Sequence, residues 1–411
     1  MSQTVLENLI PSAARLALLG GIGLAFAPTV EALSPVAAPA TAPTLAATAS
    51  TASVVQANRP DQVFEQSRRS VRPVSGRVIS NGLEGVVIET DGRERTIEAA
   101  NVVRVQLNQV PAAYRDGIKL AAGGDHTAAA TSFQSAAEDR DASEPAKAAA
   151  RHRAASALLE GTATDPGRAK LAVLEAERFL ADHPDNREVP EVQLLLGRAQ
   201  WLAGDAASAA STFEGLFRQA SGETATTGYR IELCYEAGLL GAHAALAAGD
   251  SAKAQELLAG LESNLPGVIG ALEADDARVP ALEALRARAQ LGEGHVLLAG
   301  GKAAQARSFF QARLDAGEVA SERSAAQVGL ALALELEGSA REAQLLFAQV
   351  TATAVDSGDV VAAALVGLAR TSLAAGDSGA RDLARTWLEE VRDRHGASLS
   401  AREAHEALSA L

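Results

Sequence analysis

The sequence predicts a mostly α-helical chain in which antiparallel helix pairs stack into a solenoid, preceded by a small antiparallel β-meander or barrel-like module. From about residue 109 onward, apolar residues recur at three- and four-residue spacing, which is typical of helices buried on one face. A turn glycine followed by alanines and an aromatic or leucine residue also recurs, as in WLAGDAASAASTF, residues 201–213. Between residues 73 and 107, by contrast, apolar and polar residues alternate with the period of two that indicates half-buried strands.

The composition limits the classes of function. The chain has 411 residues, of which 47% are hydrophobic and only 3% aromatic, so its core must consist mainly of Ala, Leu and Val. Alanine has the highest helix propensity, which favours closely packed helices. The net charge of −14 argues against nucleic-acid binding, because a phosphate backbone is bound by a basic face. A single cysteine, Cys234, excludes an intramolecular disulfide and a thiolate metal cluster, and we interpret it as a buried apolar residue.

The N-terminus has the pattern of an export signal. Residues 16–27, LALLGGIGLAFA, form an apolar run of secretory length after Arg15, whereas a membrane-spanning helix needs about 20 apolar residues. Residues 30–32, Val-Glu-Ala, offer a cleavage site. We predict a signal peptide over residues 1–32, or alternatively an uncleaved anchor that tethers the protein to a membrane. Both alternatives place the rest of the chain outside the cytoplasm, in the periplasm or otherwise exported into a bacterial cell envelope.

Residues 33–60 are predicted to be a disordered linker. Up to residue 58 the segment carries no charge and is rich in Pro, Ala, Thr and Ser. Such a composition buries too little apolar surface to offset the entropy of ordering the chain.

Residues 61–108 are predicted to form a small β module. Four short alternating segments are separated by Asn81-Gly82 and Asp91-Gly92, two dipeptides that favour the positive φ angles of tight hairpin turns. A sheet of this size holds little core of its own. We therefore expect it to pack against the helices that follow or against a partner.

A two-helix unit recurs over residues 109–411. An alanine lies five residues after the turn glycine in Ala129, Ala209, Ala254, Ala306 and Ala343, and Ala172 and Ala380 join these by the pattern that follows. The residues four positions later are Phe133, Ala176, Phe213, Leu258, Phe310, Phe347 and Ala384. The small residues twelve positions before the alanine are Gly117, Gly197, Ala242, Gly294 and Ala331. We expect the small residues to let two helices touch, the larger ones to fill the gap against the next unit, and Pro184 and Pro266 to stop two helices.

This pattern resembles the tetratricopeptide repeat, whose signature contains Leu-Gly in the first helix and Ala-x3-Phe in the second. Leu196, Gly197, Ala209 and Phe213 match that signature best. The longer units, and the stretch EAERFLADHPDN over residues 175–186, are similar to the arrays of exported bacterial envelope proteins. The resemblance implies a superhelix whose concave face is built from the first helices and binds other proteins.

Sequence patterns of catalysis and cofactor binding are absent. The chain contains no HExxH, no Gly-x-Ser-x-Gly and no P-loop, and its seven histidines show no zinc-ligand spacing. We therefore predict no enzyme activity, no cofactor and no metal site.

One set of polar residues is a candidate for partner binding. Arg198, His243 and His295 lie eleven residues before the key alanine in three successive units, on the side of the first helix expected to face the groove. The predicted groove strip consists of Glu191, Arg198, Trp201, Glu236, His243 and His295. Such a strip would hold a peptide or a partner's helix, and a histidine pair would make binding sensitive to pH. The alternative is that these are ordinary exposed helix residues.

The sequence thus predicts an exported, non-enzymatic scaffold that binds other proteins through its superhelix. A narrower alternative is an envelope-assembly or cell-division factor whose β module pairs with a partner strand. A third alternative is a ligand-binding or catalytic protein that uses the superhelix as a cradle.

Overall fold

The computed structural model describes residues 59–411 except 68–69, 164, 223, 274–275, 317–319, 355–357, 377 and 397. The predicted signal peptide and nearly all of the predicted linker, residues 1–58, lie outside the described residues. Within the described residues, a five-stranded sheet is followed by fifteen α-helices.

The β module is an antiparallel sheet with the strand order β4-β3-β2-β1-β5. The strands are β1 (Asp61–Ser67), β2 (Ser70–Asn81), β3 (Gly85–Thr90), β4 (Arg93–Glu98) and β5 (Val102–Gln106). The turn at Asp91 and Gly92 has φ angles of 51° and 74°, so the hairpin predicted from that dipeptide is confirmed. The prediction of four strands is wrong because β1 adds a fifth. Its apolar residues Val63 and Phe64 are adjacent, so β1 lacks the alternation by which a strand is recognised.

Asp61 ties the two ends of the module together. One carboxylate oxygen, Oδ1, accepts hydrogen bonds from the backbone N–H groups of Asn108 at 2.7 Å and Gln109 at 3.0 Å. The other oxygen, Oδ2, accepts from the N–H of Val78 in β2 at 3.1 Å. A single buried carboxylate therefore fixes where the sheet begins and where the chain leaves it.

The β module packs against the helices through the turn that follows the fourth helix. The N–H of Leu83 donates to the carbonyl of Asp185 at 2.8 Å, and the N–H of Arg187 donates to the carbonyl of Asn81 at 3.0 Å. The guanidinium Nη2 of Arg187 donates to the carbonyl of Val102 at 2.6 Å, at the start of β5. The sequence predicted that the module packs either against the following helices or against a partner. In the structure it packs against the helices of its own chain.

The helices form seven antiparallel pairs and a final single helix. They are α1 (Ala112–Ala122), α2 (His126–Ala137), α3 (Glu144–Glu160), α4 (Arg168–Asp182), α5 (Val189–Leu202), α6 (Ala206–Phe217), α7 (Ile231–Ala247), α8 (Ser251–Ala271), α9 (Val279–Ala299), α10 (Ala303–Asp315), α11 (Ala320–Leu336), α12 (Ala340–Thr353), α13 (Gly358–Ala375), α14 (Ala380–Arg394) and α15 (Ala401–Ala410). Each odd-numbered helix up to α13 is the first of a unit and packs on the helix that follows it. The predicted solenoid of about seven tetratricopeptide-like units is confirmed.

The repeated Gly-Asp dipeptide is the joint between the two helices of a unit. In the third unit Gly204 takes φ = 92°, a left-handed conformation that favours glycine. The side chain of Asp205 then accepts a hydrogen bond from the N–H of Ser208 at 3.0 Å, which caps the next helix. Asp125 and Asp250 cap α2 and α8 in the same way.

The aromatic residue of the repeat fills a slot lined by glycines. A Cβ atom added at Gly294 in the same unit would lie 2.5 Å from the ring of Phe310, and one added at Gly329 in the next unit would also overlap it. Phe213 faces Gly197 in the same way. The predicted fit of small residues against aromatic ones is therefore confirmed, and the aromatic ring joins two successive units.

The two prolines behave differently. Helix α4 ends at Asp182, two residues before Pro184, as predicted. Pro266 lies inside α8, which continues to Ala271, so the prediction that it stops the helix is wrong. Because Pro266 has no N–H, the carbonyl of Glu262 loses its intrahelical partner, but Glu262 is exposed and water can bond this carbonyl. The neighbouring Leu265 is buried and anchors this part of the helix.

Candidate functional site: the inner polar cluster

The first helices of the middle units have little exposed surface. In α7 only Glu232, Glu236 and Ala247 are half-buried, and the other residues are buried. A helix lining an open groove would keep one face exposed to solvent. The open concave surface expected from the sequence is therefore not present at α7.

The C-terminal part of the chain closes the array. Leu399, which is 7% exposed, packs into the hydrophobic core of the first five units. The indole Nε1 of Trp201 donates a hydrogen bond to the carbonyl of Leu399 at 3.2 Å. The hydroxyl of Thr162 donates to the carbonyl of Leu159 at 2.6 Å, and its oxygen lies 3.4 Å from the carbonyl oxygen of Gly396. The end of the solenoid thus contacts its second and third units, so the array from the second to the seventh unit closes on itself and is here called the ring.

Two of the predicted groove residues form an ion pair inside this ring. A guanidinium nitrogen of Arg198 in α5 lies 2.8 Å from a carboxylate oxygen of Glu236 in α7, and each side chain is 18% exposed. Glu191, a further predicted residue, pairs instead with Arg230 at 3.2 Å. Burial raises the pKa of the Glu191 carboxyl, and the charge of Arg230 opposes that shift.

The expected exposure of Trp201, His243 and His295 is wrong. Their exposed fractions are 4%, 2% and 1%. The two imidazole rings meet edge to face with their centroids 5.9 Å apart, and His295 packs on Phe310 at 5.4 Å. The position eleven residues before the key alanine therefore lies at the contact between neighbouring first helices, where His243 of α7 meets His295 of α9.

The two histidines are neutral near pH 7. Burial, together with the nearby His295 and Arg288, lowers the pKa of His243 to about 3. Burial lowers the pKa of His295 to about 4. Unperturbed histidines titrate in the neutral range. The pH sensitivity predicted for this histidine pair is therefore expected in the acidic range instead.

Sequence reasoning missed two charged residues that complete the inner polar cluster, which consists of Arg198, Glu236, His243, His295, Arg288 and Asp359. Burial lowers the pKa of Arg288 in α9 to about 10, although Glu236 and Asp359 favour its charged form. Burial raises the pKa of Asp359 in α13 to about 7, against the opposing charges of Arg198 and Arg288. Asp359 lies in the first turn of its helix, where an acidic residue is ordinarily explained by the helix dipole, so its sequence position gave no sign of burial.

A second cluster of partly buried charges joins the last helix to the ring. Arg370 in α13 contacts Glu335 in α11 and lies 2.9 Å from a carboxylate oxygen of Glu403 in α15. The guanidinium of Arg370 therefore forms ion pairs with two carboxylates. Burial and the repulsion from Glu335 together raise the pKa of Glu403 to about 7, although Arg370 opposes this shift.

The inner polar cluster links neighbouring helices through the ion pair of Arg198 and Glu236. Among the described residues, no group of three or more His, Cys, Asp and Glu side chains is placed to hold a metal ion. Burial raises the pKa of the Cys234 thiol to about 12, so the reactive thiolate is disfavoured. Helix α13 is the one described helix long and apolar enough to cross a membrane, and most of it is buried within the protein, as in a core helix.

The comparisons with known proteins assign no function to the chain. No family model matches the chain, and no curated protein matches it. A tetratricopeptide repeat protein from Parabacteroides merdae aligns over 72% of this chain and 96% of its own, with 14% identity and a TM-score of 0.42. The tetratricopeptide domain of P58(IPK) aligns over the same shares with 14% identity and a TM-score of 0.26.

Proposed function

We propose that the protein is an exported, non-enzymatic scaffold that binds other proteins through its tetratricopeptide-like ring in a bacterial cell envelope. The observation that supports this most strongly is the stack of seven helix pairs, in which aromatic rings such as Phe213 and Phe310 pack on glycines of their own and the next unit. Stacked repeats of this kind present extended surfaces to partners. The inner polar cluster supports a structural role, since its arginines and carboxylates are engaged with one another.

Export follows from the N-terminal sequence. Deleting residues 16–27 should keep the protein in the cytoplasm, because the apolar run is the part of a signal peptide that engages the export machinery. The measurement is fractionation of cells that express the full chain or the deletion. Intact mass then distinguishes cleavage after Ala32 from an uncleaved anchor, and a full-length chain found in the cytoplasm would contradict export.

A narrower function is supported by the free edge of the β module. Strand β4 is an edge strand, and its residues 93–96 are exposed. Two copies of β4 paired about a two-fold axis would place Arg95 opposite Arg95, or Glu94 opposite Glu98, and like charges in direct opposition are destabilising. The edge is therefore better suited to a different protein, whose strand carries complementary charges, than to a second copy.

Site-specific crosslinking in the native host separates the two functions. A photoreactive residue is placed in the full chain at Ala203 beside the closing contact, at the exposed Leu345 on α12, or at Thr96 on β4. We expect a scaffold to yield the same partners from Ala203 or Leu345 in replicate experiments. Adducts from Thr96 alone would favour the strand-pairing function, and no protein adduct from any of the three positions would contradict both.

A further inference from the structure

We propose that the outward face of α4 is the contact through which two copies of the chain form a dimer, with the two α4 helices packed antiparallel about a two-fold axis. Helix α4 is the second helix of the second unit, and its residues Ala172, Ala176 and Phe179 are buried in the core. The opposite side of α4 therefore points away from the solenoid. This face is separate from the edge strand β4 and from the contact that closes the ring.

Two exposed leucines lie one turn apart on the outward face of α4. Leu171 is 50% exposed and Leu174 is 59% exposed. Among the described helices, no other carries two exposed large hydrophobic residues. Single exposed apolar residues are normal on a protein surface, whereas neighbouring ones form a patch that marks a contact. Residues three apart on a helix are neighbours, so these leucines form such a patch.

The leucine patch lies between helices with shorter side chains. Leu174 follows the key alanine by two positions, and the corresponding exposed residues of α2 and α6 are Thr131 and Ser211. The hydroxyl of Thr131 donates to the carbonyl of Thr127 at 3.2 Å, and that of Ser211 donates to the carbonyl of Ala207 at 3.1 Å. Because both hydroxyls bond within their own helices, a second helix laid on α4 can cover them at little cost.

The charges at one edge of the patch are complementary to themselves. Lys170 and Glu177 are exposed and lie seven residues apart, which places them on the same edge of the leucine face. When Leu171 of one copy faces Leu174 of the other in antiparallel packing, Lys170 lies beside Glu177 of the other copy. The two-fold axis repeats this ion pair at a second position. A surface that supplies both members of each pair is self-complementary, as a two-fold contact requires. The occupant that this surface fits is therefore a second copy of the chain.

The remaining charge on the face selects the register. With Leu171 opposite Leu174 of the other copy, Arg178 faces Gly167, which has neither charge nor side chain. A shift that placed Leu174 opposite itself would bring Arg178 beside Lys170 of the other copy. Like charges in direct contact are destabilising, so the register with paired leucines is favoured.

Analytical ultracentrifugation of the full chain tests the association. The mean mass should rise towards that of a dimer at micromolar concentrations, because one helix pair is smaller than the interface of an obligate dimer. Leu171→Glu/Leu174→Glu should remain a monomer. The matched control is Leu345→Glu on α12, since Leu345 occupies the same repeat position as Leu174 and is 67% exposed. This control should associate like the wild-type chain, and circular dichroism shows whether each variant keeps its helices.

Charge reversal tests the antiparallel arrangement. Lys170→Glu should weaken the dimer by about three- to tenfold, since it sets two glutamates side by side at both symmetric positions. Adding Glu177→Lys to the same chain should restore the association. Within one helix these two residues are too far apart to pair, so a restoring effect can arise only between copies.

Disulfide formation tests the register. Chains that carry Leu171→Cys and Leu174→Cys are mixed and oxidised, and we expect a disulfide that joins one chain of each kind, because directly opposed residues come close enough to bridge. The native Cys234 is buried and does not compete. Leu345→Cys, treated alone in the same way, should stay monomeric.

Three outcomes would overturn the proposal. They are a wild-type chain that remains a monomer, association that persists in Leu171→Glu/Leu174→Glu, and a Lys170→Glu defect that Glu177→Lys does not restore. None of these experiments uses another protein, so their failure leaves the proposed scaffold function untouched.

Discussion

Replacing Phe310 by alanine should lower the free energy of unfolding by about 3–5 kcal/mol, the usual cost of removing a fully buried phenylalanine side chain. Phe310 is 0% exposed and lies between Gly294 in its own unit and Gly329 in the next. Neither glycine has a side chain that could move into the space left by the ring. The cavity would therefore persist, and its cost should lie in the upper part of the range for such substitutions.

Urea denaturation followed by far-UV circular dichroism measures this loss, and Phe309→Ala is the matched control. Phe309 is adjacent in sequence and is only half-buried. Its removal should cost clearly less, because it leaves a surface indentation and not a closed cavity. Equal losses for the two variants would mean that the slot between units does not set the stability of the array. A separate early transition in Phe310→Ala would locate the weakened joint between the fifth and sixth units.

The sequence predicted the repeat well because the repeat is a local pattern. The key alanine, the small residue twelve positions before it and the aromatic four positions after it all lie within one helix pair. The helical period then determines which of them face each other. Phe213 and Gly197 are an example, since their contact follows from one turn and two helices of ordinary length. The hairpin at Asp91 and Gly92 was predictable for the same reason.

The site could not be predicted in the same way, because it depends on contacts between distant parts of the chain. Trp201 and Leu399 are separated by 198 residues, and no local pattern indicates that they meet. Whether a first helix faces a groove or a filled interior depends on the curvature summed over seven units. Small differences in the length of each unit change that sum. His243 and His295 were expected on an exposed strip, but they are buried against each other and against Phe310.

Ring closure also explains why buried charges were missed. Arg288 and Asp359 occupy sequence positions that ordinarily belong to solvated helix faces and helix ends. In the folded chain both are removed from water, and the charges of Arg288 in α9 and Asp359 in α13 act on each other. A buried charge is tolerated only beside a partner of opposite sign. The mixed signs in the inner polar cluster are therefore a consequence of burial.

Acidification should destabilise the protein through the two buried histidines, which makes His243→Leu/His295→Leu the second informative variant. The folded-state pKa values of about 3 and about 4 lie below the ordinary histidine value of 6.5. Between pH 6.5 and about 4, the unfolded chain therefore takes up protons that the folded chain cannot bind. The histidine contribution to stability is fully present above pH 6.5 and is lost as the pH falls. Each proton that only the unfolded chain binds lowers the free energy of unfolding by about 1.4 kcal/mol for every pH unit of acidification.

Two carboxyl groups act in the opposite direction over the same range. The raised pKa values of Asp359 and Glu403 mean that the folded chain holds protons which the unfolded chain releases, so their contribution grows as the pH falls. Both groups are present in the wild-type and the double-variant chains. The difference between the two chains therefore isolates the histidines, whereas the pH dependence of the wild-type chain alone does not.

The measurement is the free energy of unfolding in urea at several pH values between 4.5 and 7.5. Below pH 6, the stability of the wild-type chain should fall relative to that of the double variant with a slope approaching two protons, about 2.7 kcal/mol per pH unit. His405→Leu, at a partly buried position on α15, is the control for removal of a histidine outside the pair. A slope no different from that of the control would mean that His243 and His295 are protonated in the folded chain. The inner polar cluster would then have to accommodate two additional positive charges beside Arg288.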